Sequence, residues 1–301
     1  MEPNKIGGKQ FWMWFLAAVI SPLAHFSGVG CLAMGVTAAA LLPLTAVVMD
    51  GWEGLGKKLA FLEMVGTVLV LAALIPASGV YWPASRNETA VPIVILILAA
   101  LSGRAERCAR AGSVIGMVSI LLLTPLVLSA AGQIRFARLA DSTAQISLPL
   151  IPVMLLPSLA GLWTVSERKR IGYLCAVGGA ALLFAVITQG ILGLTVASSV
   201  PDAFYQAARC LGRFEPVTAS AVTLGWYALA TFLVRTVCRF GARCGIPEKW
   251  GILLAVGVPT VFILFRVHQN DAFLTVLTLF LWVFAPFLNA IKKLKKIEKS
   301  S

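Results

Sequence analysis

Polar residues interrupt this chain at short intervals. Between the interruptions lie ten apolar stretches, near residues 11–27, 29–49, 59–78, 91–102, 112–132, 146–163, 171–197, 217–238, 250–266 and 272–290. A helix needs about 20 apolar residues to cross the hydrocarbon of a bilayer, so the pattern predicts an all-α integral membrane protein of about ten transmembrane helices. The stretch 91–102 is short for a full crossing, and Leu101, Ala105 and the apolar side of the Arg-rich turn after it are expected to extend it. Ten spans leave about a hundred positions for tails and connections, which predicts one polytopic membrane domain over 1–301.

The basic residues then assign sides. With the N-terminus on the first side, 19 of the 25 Lys and Arg fall there, including all 11 lysines; Arg86, Arg135, Arg138, Arg209, Arg213 and Arg266 make up the other side. By the positive-inside rule both termini are expected to be cytoplasmic.

Composition adds mainly exclusions. A chain that is 59% hydrophobic and 13% charged, with mean hydropathy +0.89, has too much apolar surface for a soluble fold of this length. The net charge of +12 is spread over membrane-boundary loops without an aromatic-interleaved groove, so anionic lipid rather than nucleic acid is the expected partner. The chain has two histidines, no HExxH and no GxSxG, which points away from an enzyme and from any metal or cofactor site.

Of 13 acidic residues only Glu63 falls inside a stretch, one turn past Lys57 and Lys58. Such a residue is a functional candidate, or it snorkels, or it pairs with a neighbouring lysine. A sharper signal is backbone disruption. Stretch one carries Ser21, Pro22, His25, Ser27, Gly28 and Gly30; stretch six carries Pro149, Pro152, Pro157, Ser158 and Gly161. Proline removes a donor and frees the carbonyl four residues earlier, so these segments expose polar backbone at membrane depth. They lie five stretches apart, the arrangement by which inverted-repeat transporters hold a substrate at the midplane. His25 sits beside the first break, either as a ligand group or as a helix-packing hydrogen bond. In stretch seven Gly172, Ala176 and Ala180 repeat at the spacing of closely packed membrane helices.

Residues 201–250 resemble the signature region of the spore germination permease family, the B subunits of germinant receptors, within the amino acid/polyamine/organocation superfamily. The similar features are the amphipathic segment Phe204 to Arg213, the corner Gly212-Arg213-Phe214-Glu215, Trp226 of span eight, and a basic cytoplasmic loop from Arg235 to Lys249. Thr89-Ala90-Val91-Pro92, the run Gly103 to Arg110, and Trp282, Pro286 and Ile291-Lys292-Lys293 resemble further family features, so the likeness covers roughly 50–295. The first 50 residues depart from the family in a shorter first hairpin, and stretch five has no Lys or Arg between Gly112 and Gly132.

The resemblance implies a LeuT-like 5+5 inverted repeat with helices one and six broken at the centre, repeat one over about 11–132, repeat two over about 146–290 and a basic cytoplasmic tail at 291–301. It implies a small amino-acid-like ligand held by Ser21, Pro22, His25, Gly28, Pro157, Ser158 and Gly161, with Trp226 and Tyr227 closing the side-chain pocket. The expected setting is a bacterial cell membrane or spore inner membrane, with receptor A and C subunits as partners. A transporter working by alternating access, and a scaffold with a decayed site, are the other readings.

If the sides are as assigned, cysteine labels near Arg104, Arg168 and Lys292 will be protected from an impermeant thiol reagent in intact cells. Labelling there inverts the topology.

Overall fold

The computed structural model describes residues 6–52, 55–82, 87–141, 148–163, 170–200, 202–212, 214–267 and 270–298. The protein is 87% helical, with no strand among the described residues. In chain order the helices are α1 Gly8–His25, α2 Cys31–Val48, α3 Lys57–Leu74, α4 Asn87–Leu101, α5 Ala105–Ala131, α6 Phe136–Leu139, α7 Leu150–Leu155, α8 Arg170–Leu192, α9 Leu194–Ser199, α10 Ala203–Cys210, α11 Glu215–Cys244, α12 Glu248–Leu264, α13 Asp271–Leu279 and α14 Ala285–Glu298.

Seven segments are long and apolar enough to cross a membrane: Gly8–Val29, Cys31–Val48, Lys57–Gly79, Ala105–Ala131, Ile171–Leu192, Glu215–Cys244 and Asp271–Ile291. The other three apolar stretches form α4, α12 and the shorter segment Leu150–Leu162. The chain is therefore an all-α, multi-pass membrane protein. Its large exposed side chains agree: Leu101, Leu121, Leu128 and Phe265 are each at least 70% exposed, which in water would leave apolar surface uncovered and in a bilayer meets lipid.

Several boundaries differ from the sequence reading, each for a local reason. Stretch four does not continue through the Arg-rich turn: the chain turns at Gly103, whose φ of +79° is one that glycine adopts freely, and the turn belongs to α5 from Ala105. Stretch eight extends to Cys244, so Arg235, Arg239 and Arg243 sit on α11 rather than in a loop. Stretch one is helical through Pro22 and loosens only at its end, where a 3-10 turn at Phe26–Val29 leads to Gly30 at φ +91°; the break is terminal, not central. Stretch six changes from α7 into a 3-10 segment at Leu156–Leu162, where Pro157 cannot donate to an α-helical ladder. Stretch ten widens into a π turn at Phe280–Phe284 between α13 and α14.

The centre of the molecule is α11, buried along most of its length and packed against α1, α3, α4, α5 and α12. Its partner α1 brings an aromatic cluster: Phe11, Trp14 and Phe15 pack with Phe232 of α11 and Trp163, and Trp14 Nε1 donates to Thr231 Oγ1 at 3.1 Å. Trp12 stacks on Tyr173 of α8 at 4.7 Å. Away from α11, α2 pairs with α8 and α7, α1 with α8, α3 with α12, α4 with α12, α7 with α13, and α3 with α13. Of the Gly172, Ala176 and Ala180 stripe on α8, Gly172 and Ala176 face outward and Ala180 alone packs partly against the core; Gly178 on the other face lies against Leu42 of α2.

The α1–α5 seam depends on an absent side chain. A Cβ at Gly112 would fall on the Trp14 ring, whereas one at Gly179 meets nothing within 4 Å. Gly112→Ala is expected to lower stability by about 1–3 kcal/mol, the range for overpacking a filled core. Gly179→Ala is expected to change it by less than about 0.5 kcal/mol, as surface substitutions do. Thermal unfolding of the detergent-solubilised variants checks both.

Candidate functional site

The expected ligand residues fall into separate groups. Ser21, His25 and Trp226 meet at the α1–α11 seam. The Ser21 hydroxyl donates to the Val222 carbonyl at 2.5 Å, one turn of α11 away from Trp226, and Gly225 lies so close that a Cβ there would strike Ser21 Oγ. The His25 ring stands edge-on to Trp226, with centroids 6.2 Å apart, and its Nδ1 lies 3.4 Å from the Tyr81 hydroxyl. Pro22 is buried within α1.

Pro157, Ser158 and Gly161 form a second group on the Leu156–Leu162 segment, which packs on the 3-10 turn Met49–Trp52. A Cβ at Gly161 would fall on the Met49 carbonyl. This segment ends at Trp163, beside Phe11 and Trp14 in the first half of α1, while Ser21 and His25 belong to the second half. Gly28 lies beyond them against Ala197 and Ala203. Tyr227 points elsewhere: successive helical residues diverge by about 100°, so with Trp226 facing α1 its neighbour turns toward Ser102 and Cys108.

These places are closed by direct packing. Ser21, Pro22, Pro157, Ser158 and Trp226 are buried. Among the described residues Ser158 Oγ and Trp226 Nε1 are buried with no hydrogen-bond partner. No group of three or more His, Cys, Asp or Glu able to hold a metal occurs among the described residues.

The break after α1 is held by residues the sequence reading passed over. Ser27 Oγ lies 2.9 Å from Thr188 Oγ1 on α8. Gln189 Oε1 accepts from Cys31 N at 2.8 Å, and Gln189 Nε2 donates to the Arg138 carbonyl at 2.8 Å. Arg138 Nη1 in turn donates to the Ile191 carbonyl. The signal was present: Thr188-Gln189-Gly190 is a polar interruption of an otherwise apolar stretch.

A second set covers the His25 end. Tyr81 stands edge-on to Tyr205 of α10, with centroids 5.7 Å apart, and the Tyr205 hydroxyl donates to Glu215 at 2.6 Å. Burial, then the Glu215 carboxylate that accepts its proton, push the Tyr205 phenol up to about 12. Burial, then the Asp202 carboxylate, raise Tyr81, and burial raises Asp202 itself. All three groups are thus shifted in the same direction, toward holding their protons.

A scan against protein-family models finds no matching family, and a search of curated proteins finds no match.

Gln189→Leu keeps the side chain's bulk and removes both bonds that tie α2 to α6 across α8. Leaving the Cys31 donor and the Arg138 carbonyl without it is expected to cost about 1–3 kcal/mol. Chemical denaturation in mild detergent measures this, and an unchanged midpoint would show that the break is held by other contacts.

Proposed function

We propose that this chain is a germinant-receptor-type subunit of a bacterial cell membrane or spore inner membrane. In this reading it binds a small amino-acid-like molecule in a LeuT-like fold of ten helices and passes a conformational change to receptor A and C subunits. The observation that carries it is a packing pattern that maps onto itself when the first five apolar segments are exchanged for the last five.

Under that exchange α1 corresponds to α7, α2 to α8, α3 to α11, α4 to α12 and α5 to α13. The pairing of α3 with α12 then becomes that of α11 with α4, and α1 with α8 becomes α7 with α2. Likewise α1 with α5 becomes α7 with α13, and α11 with α5 becomes α3 with α13. The pairs α3–α11, α4–α12, α2–α8 and α1–α7 map onto themselves, as elements on a two-fold axis must. The contact of α1 with α11 has no equally extensive image between α7 and α3. Five crossings per half start the second half on the opposite side, so such a repeat is inverted. The loosened segments, Phe26–Val29 and Leu156–Leu162, follow the two corresponding helices α1 and α7.

Sensing is favoured over transport by the closed packing at Gly28, Gly161 and Gly225, where backbone or hydroxyl neighbours leave no room even for a methyl group. Such contacts hold one state firmly, and a ligand opens it only by differential affinity for the other.

The test is thermal stability of the purified protein against a panel of amino acids and nucleosides, repeated with Ser158→Leu. One ligand at about a hundred times its Kd is expected to stabilise the wild type by about 2.7 kcal/mol and the variant much less. No stabilisation by any compound overturns the ligand-binding reading. Uptake of the stabilising compound into proteoliposomes would replace sensing with transport.

A further inference from the structure

Glu63 is not placed as an incidental membrane-boundary charge. It lies in the second turn of α3 and is fully buried, and among the described residues neither carboxyl oxygen has a hydrogen-bond partner. Snorkelling is excluded by that burial. Lysine pairing is absent: Lys57 and Lys58 are exposed, and no ion pair joins either to Glu63.

Its direction follows from its neighbours. Met64 approaches Gly241 of α11, and Gly66 is pressed against Leu281 of the π turn. At about 100° per residue the Glu63 side chain projects between those two contacts, into the junction of α3, α11 and the π turn. The next residue of that turn, Trp282, is fully buried with its Nε1 unpartnered. The turn also touches the Leu156–Leu162 segment, which carries the unpartnered Ser158 hydroxyl. π turns inside helices are frequent at functional sites.

The other charged groups on the elements around Glu63 are committed elsewhere. On α11, Arg235 pairs with Glu248 at 2.8 Å, Arg239 lies over the Trp163 ring at 4.7 Å, and Arg243 donates to the Trp52 carbonyl at 2.6 Å. On α12, Glu248 is taken by Arg235 and Lys249 is exposed; on α13, Asp271 is exposed at the far end of the helix. A groove of about 490 Å³ opens beside the same seam, lined by Gly56, Lys57 and Leu59 of the α3 start and by Phe280, Phe284 and Asn289; Glu63 itself lies behind its wall. Leu59 precedes Glu63 by four residues, about 6 Å along the helix.

A bare carboxylate cannot be left in this position, because an ion in a low-dielectric interior needs a counter-charge or a proton. We propose that Glu63 is an exchange site, at which the carboxyl proton is released to the aqueous groove and its place is taken by a monovalent cation, an alkali ion or a small ammonium group. One positive charge leaves and one enters, so the buried site stays neutral throughout.

The test uses dicyclohexylcarbodiimide, an apolar reagent that takes the proton of a buried carboxyl and adds to its oxygen. The full-length protein in its membrane is labelled with sodium, potassium, methylammonium or N-methylglucamine at equal ionic strength, and Glu63→Gln identifies the modified site. The expected result is labelling of Glu63 that sodium, potassium or methylammonium slows about tenfold at ten times its Kd, following mass action, while N-methylglucamine does not. Protection by sodium or potassium names an alkali ion; protection by methylammonium alone names an ammonium group. Labelling at the same rate in all four salts overturns the proposal, as does failure to label the native protein when the same chain unfolded in dodecyl sulfate reacts.

Discussion

Backbone groups in hydrocarbon have no water to turn to, so wherever a helix stops inside the membrane another part of the protein must answer its donors and acceptors. This constraint shapes the molecule around one side chain. Gln189 accepts from the first N–H of α2 and donates to the carbonyl of Arg138 in α6, while its own carbonyl accepts from Gly193 N at 2.8 Å. Three chain ends are thus tied at one point. Gly30 and Gly193, at φ +91° and +80°, permit the turns that bring them there. The break after α1 is possible because α8 supplies what the break exposes.

The same solvent removes the usual reason for helices to associate, since lipid tails are as apolar as leucine, and leaves close van der Waals approach and polar contacts to do it. The structure meets this demand with glycine against bulk: Gly112 under Trp14, Gly225 against Ser21, Gly161 on the Met49 carbonyl. Two of the expected ligand residues, Ser21 and Gly161, are spent on this contact. In the proposed reading a ligand would have to replace the Ser21 bond to Val222 and the packing around Ser158, and only the excess of its affinity for an opened state would shift the equilibrium.

Much of the helical framework was legible in the sequence because lipid imposes a length and a hydrophobicity on each crossing. Each of the ten apolar stretches lies in a helical element. The errors occur where charge and proline were read literally. Arg235 and Arg239 looked like a loop, yet α11 carries them inward because Glu248, the Ala100 carbonyl and the Trp163 ring receive them. Pro22 looked like the break, yet the helix passes through it and yields at Gly28–Gly30. The site was less legible still. Ser21, His25 and Trp226 come together as expected of a seam, but Tyr227 shares the motif with Trp226 and not its face, and the partners Tyr81, Thr188 and Gln189 are distant in sequence. No local pattern announces a hydrogen bond between residues 158 positions apart.

The inward-facing ionisable groups show what kind of demand each answers. Arg235 is almost completely buried; its two terminal nitrogens are engaged by a carboxylate at 2.8 Å and a carbonyl at 3.3 Å, which binds α11 to α12 and α4, while its Nε is left without a partner among the described residues. Arg239 rests on an aromatic face, where the quadrupole of the Trp163 ring attracts its charge at the end of the Leu156–Leu162 segment. Both are explained by the contacts they make. Glu63 is as deeply buried as Arg235 and makes none from its side chain, although arginines lie on the adjacent helix and lysines one turn away. Of these three inward groups Glu63 is the one whose side chain makes no polar contact at all among the described residues, which is why the proposed exchange is placed there.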